Sequence, residues 1–509
     1  MREDWTEALL PQVCDILDNL RKPINAKERT KRIEGKPKNE LYPYYGATGQ
    51  VGYIDDYLTD GEYVLIGEDA APFLDYTKAV AFIINGKTWV NNHAHILKSH
   101  FNDKYLCYYL NQFQFREYVT GTTRLKLTQG AMKRMPVKIA PLPEQRAIVA
   151  KIEQLLSELD NGIANLKAAQ EKLAIYRQAV LKKAFEGELT KQWRSQQTHL
   201  PTADELLEQI QAERKAHYQQ QLKAWQQSVI EWDAQGRKGK KPAKPKKAKE
   251  VEPLDEAELD ILPTIASSWK WDTLMNIAEL IGGVTKGRKL EGKELISLPY
   301  LRVANVQDGY LDLSQIKEIE VLPSDLEKYK LHKGDILYTE GGDKDKLGRG
   351  TIWNDEIKDC IHQNHIFRAR LYRKDMSPKF VGYYSQTRTA KDYFFSKAKQ
   401  TTNLASINLT VLSNLPFPIC SLNEQTQIVQ EIESRLSVCD KLATTIDESL
   451  EKSEALRQSI LKKAFRGKLL SEAELEACRQ EPDWEPADKL LRRIQGKNAV
   501  PTTGNLFET

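Results

Sequence analysis

The sequence has few cysteines, and their arrangement indicates neither a metal centre nor a disulfide framework. Six cysteines are scattered over 509 residues without a C-x-x-C pair, which argues against a zinc site and predicts reduced thiols. No stretch approaches the run of about 18 apolar residues that a membrane helix needs. The first residues, Met1 to Trp5, open no signal peptide. We therefore expect a cytoplasmic protein that does not associate with membranes.

The common catalytic motifs are missing as well. The chain has no G-x-x-x-x-G-K-[ST] phosphate loop, no G-x-G-x-x-G, no G-x-S-x-G, no H-E-x-x-H and no Asn-Pro-Pro-aromatic methyltransferase motif. The glycine-rich stretch from Gly282 to Gly287 lacks the terminal hydroxyl that holds magnesium in a phosphate loop. These absences predict a binding protein that is not an enzyme and that carries no cofactor.

An excess of charge of one sign is also lacking. The chain has 75 basic and 71 acidic residues, a formal net charge of +4, so a nucleic-acid role would have to come from local patches. One such patch is the lysine and proline run from Arg237 to Lys247. It could lie along DNA phosphates or simply be solvated, and the sequence leaves both interpretations open.

The feature that dominates the chain is a long amphipathic helix that occurs twice. Residues 142–189 align without a gap with residues 422–469, with 21 identities in 48 positions. Both copies place apolar residues at helical spacing. Ser421 and Glu424 fit a capping box, and Gly187 and Gly467 are placed to end the helices in the left-handed conformation.

Helices of this length are too long to lie inside one compact domain, since about 44 residues span roughly 65 Å. Two such helices in one chain predict a coiled coil, in which each covers the apolar stripe of the other. The alternative is two unrelated solvated helices, because Gln170 and Arg177 interrupt the stripe. The near-identity of the copies favours the coiled coil.

The segments before each helix mix short strand-like runs with turn signals, which predicts α+β domains. Gly61-Glu62 corresponds weakly to Gly334-Asp335, and His95-Ile96 to His365-Ile366. The whole chain is therefore interpreted as a tandem duplication of domain plus helix. The predicted segments are a first domain at 1–141, a helix at 142–189, a helical and Lys/Pro-rich insertion at 190–267, a second domain at 268–420, a helix at 421–469 and a tail at 470–509.

Two histidine pairs could in principle bind a metal. His93 and His95 are separated by one residue, and His362 and His365 by two. Neither pair has a cysteine or carboxylate cluster beside it in the sequence, which favours histidines that form hydrogen bonds. We predict no metal site.

Taken together, these motifs resemble the specificity subunits of Type I restriction-modification enzymes over nearly the whole length. The resemblance rests on the following stretches: Pro143 to Gln145 and Asn423 to Gln425 at the helix starts, Gly46, Gly52 to Tyr57 and Glu62 to Asp69 in the first domain, and Tyr300 to Val306, Gly348 to Gly350 and His362 to His365 in the second. The insertion from about Arg194 to Leu262 departs from a minimal member of that family.

The resemblance implies two target-recognition domains, each recognising one half of a bipartite site on double-stranded DNA, with pseudo-twofold symmetry. The helices would pair as an antiparallel spacer and dock two modification subunits, while methyl transfer, and ATP-driven translocation and cleavage by restriction subunits, would belong to partners. The residues expected at the docking helices are Glu144, Gln145, Ile148, Ile152, Phe185, Glu424, Gln425, Ile428, Ile432 and Phe465.

Base recognition needs side chains that form paired hydrogen bonds, carried on loops beside cations and glycine amides that contact the backbone. Each domain offers such loops, although an ordinary turn remains the alternative for any single residue. The predicted DNA contacts are Tyr44, Tyr45, Asn91, Asn92, His93, Thr122, Thr123, Arg124 and Lys126 in the first domain, and Gly341, Gly342, Lys344, Lys346, Arg349, Gln363, Asn364, His365, Thr401, Thr402 and Asn403 in the second.

Two other functions stay open on the sequence alone. The chain could be a coiled-coil adaptor whose globular ends bind proteins, or a self-sufficient DNA methyltransferase. Binding of a split duplex site would exclude the adaptor. A failure to bind S-adenosylmethionine without a partner would exclude the methyltransferase.

Overall fold

The computed structural model describes residues 2–237, 241–245, 253–290, 292–342, 347–400 and 405–498. The chain divides into two compact units, unit 1 formed by Met1–Ala169 with Thr444–Thr509, and unit 2 formed by Gln170–Ala443. Both division points fall inside the long helices. Each unit is therefore a strand-rich domain together with part of each helix.

Up to the end of the first long helix, the helices and strands are β1 (Thr6–Leu9), β2 (Cys14–Ile16), α1 (Ala26–Ile33), β3 (Tyr42–Gly46), β4 (Gly49–Ile54), β5 (Thr59–Asp60), β6 (Tyr63–Gly67), β7 (Ala81–Ile84), β8 (Lys87–Val90), β9 (Ala94–Ser99), α2 (Asp103–Asn111), α3 (Gln129–Met132), β10 (Pro136–Ile139) and α4 (Leu142–Phe185).

The remaining elements are α5 (Lys191–Ser195), α6 (Ala203–Ala234), α7 (Glu256–Asp260), β11 (Lys270–Thr273), α8 (Leu274–Ile277), β12 (Ala278–Gly282), β13 (Ile296–Leu301), β14 (Lys317–Val321), α9 (Pro323–Tyr329), β15 (Ile336–Thr339), β16 (Gly341–Gly342), β17 (Gly350–Ile352), β18 (Ile361–His362), β19 (Ile366–Leu371), α10 (Pro378–Ser385), α11 (Arg388–Lys397), β20 (Lys399–Gln400), β21 (Ala405–Ser406), α12 (Leu409–Ser413), β22 (Pro416–Ile419), α13 (Leu422–Ala464), α14 (Glu472–Arg479) and α15 (Ala487–Asn498).

The two domains share one sheet topology. Unit 1 contains the pair β1-β10 and the sheets β2-β9-β6-β7 and β4-β3-β8-β5, and unit 2 contains β11-β22, β12-β19-β15-β17 and β14-β13-β18, with a further small sheet β16-β21-β20. The middle strands also pair in the same sense, since β3 is parallel to β8 and β13 is parallel to β18. The α+β class and the tandem duplication predicted from the sequence are confirmed.

In each unit the two long helices pack against one another in opposite directions. In unit 1, Ile148 and Ile152 near the start of α4 share a core with Ile460 and Leu461 near the end of α13. An ion pair between Asp160 and Arg457 continues that contact. The prediction of antiparallel pairing is confirmed for this unit.

Unit 2 shows the same arrangement with the helix ends exchanged. Val180 and Phe185 near the end of α4 share a core with Ile428 and Ile432 near the start of α13. Arg177 and Asp440 form an ion pair at 2.6 Å. The helices end near the predicted glycines, because Gly187 has φ +80° and Gly467 has φ +71°, conformations that glycine adopts without a Cβ clash.

A buried tryptophan-to-carboxylate hydrogen bond ties each long helix to the strand pair of its domain. Trp5 Nε1 donates to Glu144 Oε2 at 2.9 Å in unit 1, and Trp269 Nε1 donates to Glu424 Oε2 at 2.9 Å in unit 2. Each tryptophan directly precedes the strand, β1 or β11, that pairs with the strand leading into the helix. The hydrogen bond therefore fixes where the helix leaves the domain.

The two carboxylates differ in their other partners. Glu424 Oε1 accepts hydrogen bonds from Arg194 Nη1 at 2.5 Å and from Thr190 Oγ1 at 2.8 Å. Glu144 Oε1 is buried and has no hydrogen-bond partner among the described residues. Burial raises the pKa of Glu144, and the hydrogen bond from Trp5 offsets that effect only in part. One helix start thus holds a paired carboxylate and the other an under-satisfied one.

This pairing corrects part of the capping prediction. The Glu424 amide does lie 3.3 Å from Ser421 Oγ, as a capping box requires. The Glu424 carboxylate, however, turns to Arg194, Thr190 and Trp269 instead of returning to the backbone at residue 421. Three side-chain donors, one of them a cation, offer it more than one backbone amide would.

The predicted docking residues are core residues of this chain. All ten side chains are buried, and the aliphatic and aromatic ones belong to the cores of unit 1 or unit 2. The amide of Gln145 donates to the Ala140 carbonyl and that of Gln425 to the Cys420 carbonyl, at 2.8 and 3.0 Å. Within this chain the following residues therefore join helix and domain, and their role in subunit docking stays a prediction: Glu144, Gln145, Ile148, Ile152, Phe185, Glu424, Gln425, Ile428, Ile432 and Phe465.

The predicted insertion at 190–267 is more than a linker. At the start of α6, Ala203, Leu206, Leu207 and Ile210 are buried in the core of unit 2. Ala487, Leu490 and Ile494 of α15 hold the corresponding place in unit 1. The described part of the lysine and proline run at 237–247 folds back on α6. Trp225 Nε1 of α6 donates to the Pro242 carbonyl at 3.0 Å.

The thiols are buried in both units. All six cysteines are free, and burial raises the pKa of Cys107 and of Cys360 to about 12, which makes them poor nucleophiles. In the part of the chain that the structure describes, no helix has the length and apolar character of a membrane span.

The contrast between Glu144 and Glu424 gives a matched pair of substitutions. Glu144→Gln keeps an oxygen that accepts from Trp5 and removes a desolvated charge, so we expect unit 1 to be at least as stable at pH 7. Glu424→Gln leaves Arg194 without its counter-ion, and we expect a loss of about 2–4 kcal/mol in unit 2. Hydrogen exchange of the amides in segments 142–152 and 422–432 measures the two units separately.

The pH dependence supplies the control. The folded-state pKa of Glu144 lies above the ordinary value of 4.5, so the stability of unit 1 falls as the pH rises from 4.5 through the folded pKa. The advantage of Glu144→Gln should therefore be present at pH 7 and disappear at pH 4.5. Faster exchange of segment 142–152 in this variant at pH 7 would contradict the account.

Candidate nucleic-acid interface

One turn occupies the same position in both domains and carries residues predicted to contact DNA. In unit 1, Asn91 to His93 connects β8 to β9, and the Asn91 amide donates to the Tyr45 carbonyl at 3.1 Å. In unit 2, residues 363–365 connect β18 to β19, and the Gln363 amide donates to the Leu301 carbonyl at 3.0 Å. The two tripeptides predicted separately from the sequence are therefore structural equivalents.

Two further segments meet this turn in each unit. The Glu68 amide donates to the His93 carbonyl at 2.7 Å, and the Leu127 amide donates to the Glu68 carbonyl at 2.7 Å. In unit 2, the Glu340 amide donates to the His365 carbonyl at 2.9 Å and the Ile407 amide to the Glu340 carbonyl at 2.8 Å. We call this junction the recognition edge of each domain: 68–69, 91–93 and 120–127 in unit 1, and 340–342, 363–365 and 405–407 in unit 2.

The correspondence between His95 and His365 proposed from the sequence is wrong by two residues. Gly67 pairs with Ala94, and Thr339 pairs with Ile366, so His93 is the equivalent of His365 and His95 is the equivalent of Phe367. Both predicted histidine pairs are divided between a surface residue and a core residue. His95 lies between Asp18 and the Leu127 carbonyl, and His362 contacts the Ile366 carbonyl.

Behind the edge of unit 1 lies a network of charges. Arg21 pairs with Glu68 and lies 3.3 Å from Asp18, while His95 Nδ1 lies 2.8 Å from Asp18 Oδ2. Lys126 Nζ lies 3.2 Å from Glu68 Oε1. Arg21 also donates to the Ala94 carbonyl at 3.2 Å, and so holds the end of the turn.

The network keeps its carboxylates ionised. Burial opposes ionisation of Asp18, but the hydrogen bond and charge of His95, together with Arg21, outweigh it and lower the pKa. Burial likewise opposes ionisation of Glu68, and Arg21, His95 and Lys126 together lower its pKa. Asp18 and Glu68 therefore carry negative charge at neutral pH.

Arg124 is the most exposed cation of this edge for which a fixed partner is seen. Its Nε donates to Asp69 Oδ1 at 2.6 Å, and Asp69 Oδ2 also lies 3.6 Å from His93 Nδ1. Thr122 and Thr123, in the same loop, are exposed. The loop therefore combines a cation, hydroxyls and backbone amides, the groups that contact nucleic acids.

In unit 2 the edge is built differently. His365 pairs with Glu340, and Arg349 Nη1 donates to Gln307 Oε1 at 2.5 Å. Gly341 and Gly342 pair with Ser406 and Ala405 in the small sheet. Lys344, Lys346, Thr401, Thr402 and Asn403 lie outside the described residues.

Two predicted contact residues have structural roles instead. Tyr44 is only 3% exposed, and the guanidinium of Arg29 covers its ring at 4.6 Å. Asn91 is buried and its Oδ1 accepts a hydrogen bond from the His93 amide at 2.8 Å. These two side chains lie in the interior of the domain, where Asn91 stabilises the turn, and neither presents a surface to a base.

The sequence interpretation missed the acidic members of the edge. Glu68 and Asp69 follow Gly67 at the end of β6, and Glu340 follows β15. An acidic residue directly after a strand that ends beside the turn was the available signal. Among the described residues, no group of three His, Cys, Asp or Glu side chains is placed to hold a metal ion.

Comparisons with known proteins match this architecture. The family described as Type I restriction modification DNA specificity domain matches the chain twice, at residues 2–168 and 267–452. A chain solved in a study of complex assembly and conformational transition of the type I R-M system aligns with a TM-score of 0.56 at 15% identity, over 92% of this chain and 99% of that one. At that identity the likeness concerns the fold.

Sequence relatives extend the comparison. The specificity subunit of the type I restriction enzyme EcoDI from Escherichia coli is 23% identical over 463 residues, 90% of this chain and 89% of the relative. The EcoKI specificity subunit of Escherichia coli is 23% identical over 366 residues, which cover 72% of this chain and 64% of the relative. A Haemophilus influenzae relative, named for a type I specificity subunit, is 34% identical over 148 residues and matched over 36% of its length.

A close backbone contact at the edge of unit 2 can be tested by substitution. A Cβ at Gly283 would lie 2.0 Å from the His362 carbonyl oxygen, while a Cβ at Gly282 would have its nearest neighbour at 3.7 Å. We expect Gly283→Ala to destabilise unit 2 by about 3 kcal/mol through overpacking and to speed amide exchange in segment 361–367. Gly282→Ala is the matched control, and equal effects of the two substitutions would contradict the predicted contact.

Proposed function

The chain belongs to the Type I restriction modification DNA specificity family, and from that premise we propose that each of its two strand-rich domains binds one half of a bipartite DNA target. The observation that carries the proposal is the equivalence of the two recognition edges, each built on a turn, a strand end and a third segment joined by the same backbone hydrogen bonds. Because each domain has one such edge, we expect each domain to bind one half-site.

The side chains on these edges suit duplex recognition. Asn92 and Asn364 occupy equivalent turn positions, and asparagine can form a bidentate pair with adenine in the major groove. Lys126, Arg124 and the threonines beside them supply contacts to phosphates and bases. Because the cores of the two units are separate, we expect each domain to recognise its half-site independently.

We propose that the paired helices set the distance between half-sites and bind the modification subunits. Ile175 and Tyr176 of α4 and Val438 and Leu442 of α13 are exposed large apolar residues in the helical part of unit 2. Exposed apolar side chains on a helix pair favour association with further helices. We propose these residues as the exposed part of the docking surface for a modification subunit.

Methyl transfer, translocation and cleavage are assigned to the partner subunits. The sequence carries neither a G-x-x-x-x-G-K-[ST] phosphate loop nor an Asn-Pro-Pro-aromatic methyltransferase motif. The chain would supply recognition and geometry, and a modification subunit held against it would act on the bound target. The experiment that tests this role is to map the methylated positions in the genome of a cell that carries the complete restriction-modification system.

Matched substitutions in the two turns test the independence of the domains. Asn92→Ala should alter recognition of one half-site and Asn364→Ala that of the other, with a loss of about 1–3 kcal/mol at one base pair if the amide contacts a base edge. Mapping the methylated sites of each assembled variant measures the effect. Asn161→Ala, an exposed asparagine of α4, is the control. A substitution that changes both half-sites would contradict the assignment.

Insertions in the helices test the spacing role. Adding about four residues to both helices, after Ala169 and after Ala443, adds roughly 6 Å to each. Because DNA rises about 3.4 Å per base pair, the mapped site should gain one or two base pairs between unchanged half-sites. New half-site bases with the original spacing would contradict the spacer role. The same insertion in α4 alone makes the two paired helices unequal in length. This variant serves as the comparison.

A further inference from the structure

We propose that Arg124 is a specificity-determining residue that reads a guanine in the half-site bound by unit 1, and that Asp69 is the positioning residue that orients it. This inference rests on the proposed function and adds a base identity to it. The target class is thus a half-site with a guanine whose O6 and N7 face the loop at 120–127.

The loop that carries Arg124 is a closed hairpin. The Thr120 amide donates to the Lys126 carbonyl at 3.0 Å, and the Lys126 amide donates to the Thr120 carbonyl at 2.8 Å. Between them, Gly121 has φ +97°, and a Cβ at that position would lie 2.4 Å from the Arg124 carbonyl oxygen. The backbone under Arg124 is therefore tightly folded.

The hairpin is also fastened to the neighbouring strand end. The Ala70 amide donates to the Leu125 carbonyl at 3.0 Å, and the Leu127 amide donates to the Glu68 carbonyl at 2.7 Å. These bonds lie on either side of Asp69, whose carboxylate faces Arg124. The hairpin and the carboxylate consequently move together.

Asp69 engages Arg124 in a way that leaves the end of the side chain available. Asp69 Oδ1 accepts from Nε at 2.6 Å, and the Arg124 side chain is still 60% exposed while that of Asp69 is 21% exposed. Within the described residues, the hydrogen bond through Nε is the one seen for this guanidinium. The terminal nitrogens Nη1 and Nη2 therefore remain available to donate to a base.

That geometry fits guanine better than the other bases. Guanine presents two acceptors, N7 and O6, to the major groove, and a guanidinium donates to both at once. Adenine offers one acceptor beside an amino donor that would oppose a second arginine donor. An arginine whose orientation is fixed before binding loses less conformational entropy on forming the pair.

Other arginines of the domain edges have their donors occupied differently. Arg21 is mostly buried and binds Glu68, Asp18 and the carbonyl oxygens of Asn92 and Ala94. Arg349 in unit 2 donates a terminal nitrogen to Gln307. Arg124 differs from both in being held through Nε.

The experiment uses the full chain assembled with its modification subunits and a library of duplexes with a randomised central segment. Wild type should select a bipartite sequence with a guanine in one half-site. Arg124→Ala should lose the preference at that single base pair and retain all other selected positions. Arg134→Ala, which removes another exposed arginine of the same domain, should leave the selected sequence unchanged.

A chemical probe then identifies the atoms. Replacing the selected guanine by 7-deazaguanine removes N7, so wild type should bind the modified duplex about 5- to 150-fold more weakly. Arg124→Ala should bind the two duplexes equally. Asp69→Ala should reduce the wild-type ratio, and Asp69→Asn, which keeps an oxygen to accept from Nε, should restore most of it.

The outcomes separate the inference from the proposed function. If wild type selects a bipartite sequence and Arg124→Ala keeps the guanine preference, or loses affinity equally for every duplex, the guanine inference is overturned and the proposed function stands. If wild type selects no sequence, the proposed function itself fails. The half-site bound by unit 2 must remain unchanged in each variant, which verifies that the variant is folded.

Discussion

The buried hydrogen bond from a tryptophan to a carboxylate at the start of each long helix is the contact on which the architecture depends. Trp5 with Glu144, and Trp269 with Glu424, join the strand pair of a domain to the first turn of its helix. A buried carboxylate needs hydrogen-bond donors to offset its lost hydration. The first turn of each helix is therefore fixed at the position of those donors. The direction in which each helix leaves its domain follows from that requirement, and any spacing that the helices set depends on it.

The helices could be predicted from the sequence because their signal is local and repeated. Apolar spacing and terminal glycines gave bounds of 142–189 and 422–469, and the structure ends the helices at Phe185 and Ala464, a few residues earlier. The strands of the domains were found only in part. Residues 361–369 form two strands, β18 and β19, separated by the turn at 363–365. A turn of ordinary polar residues between two apolar runs leaves little trace in hydrophobic periodicity.

The candidate site, like the fold, was predicted only in part. The loops at 91–93 and 363–365 were predicted because amide side chains can form paired hydrogen bonds with bases, and the structure shows that the two turns are equivalent. Glu68, Asp69 and Glu340 were missed because a search for DNA contacts favours cations and amides, whereas these carboxylates act by orienting such groups. Tyr44 was predicted as a contact and is buried, since the alternation of faces along β3 follows from strand pairing that one short run does not reveal.

The duplicated helix starts differ because the segments that close them differ. In unit 2 the chain runs on from α4 through Thr190 and Arg194, which both donate to Glu424. In unit 1 the corresponding position beside Glu144 is occupied by the tail and the first residues of the chain. There Arg479 pairs with Asp4, and Glu474 pairs with Lys151. Among the described residues, Glu144 therefore has nearby positive charge but no direct cationic partner, and burial raises its pKa. Two copies of one helix thus acquire different electrostatics from the connections around them, which a comparison of the repeats alone does not show.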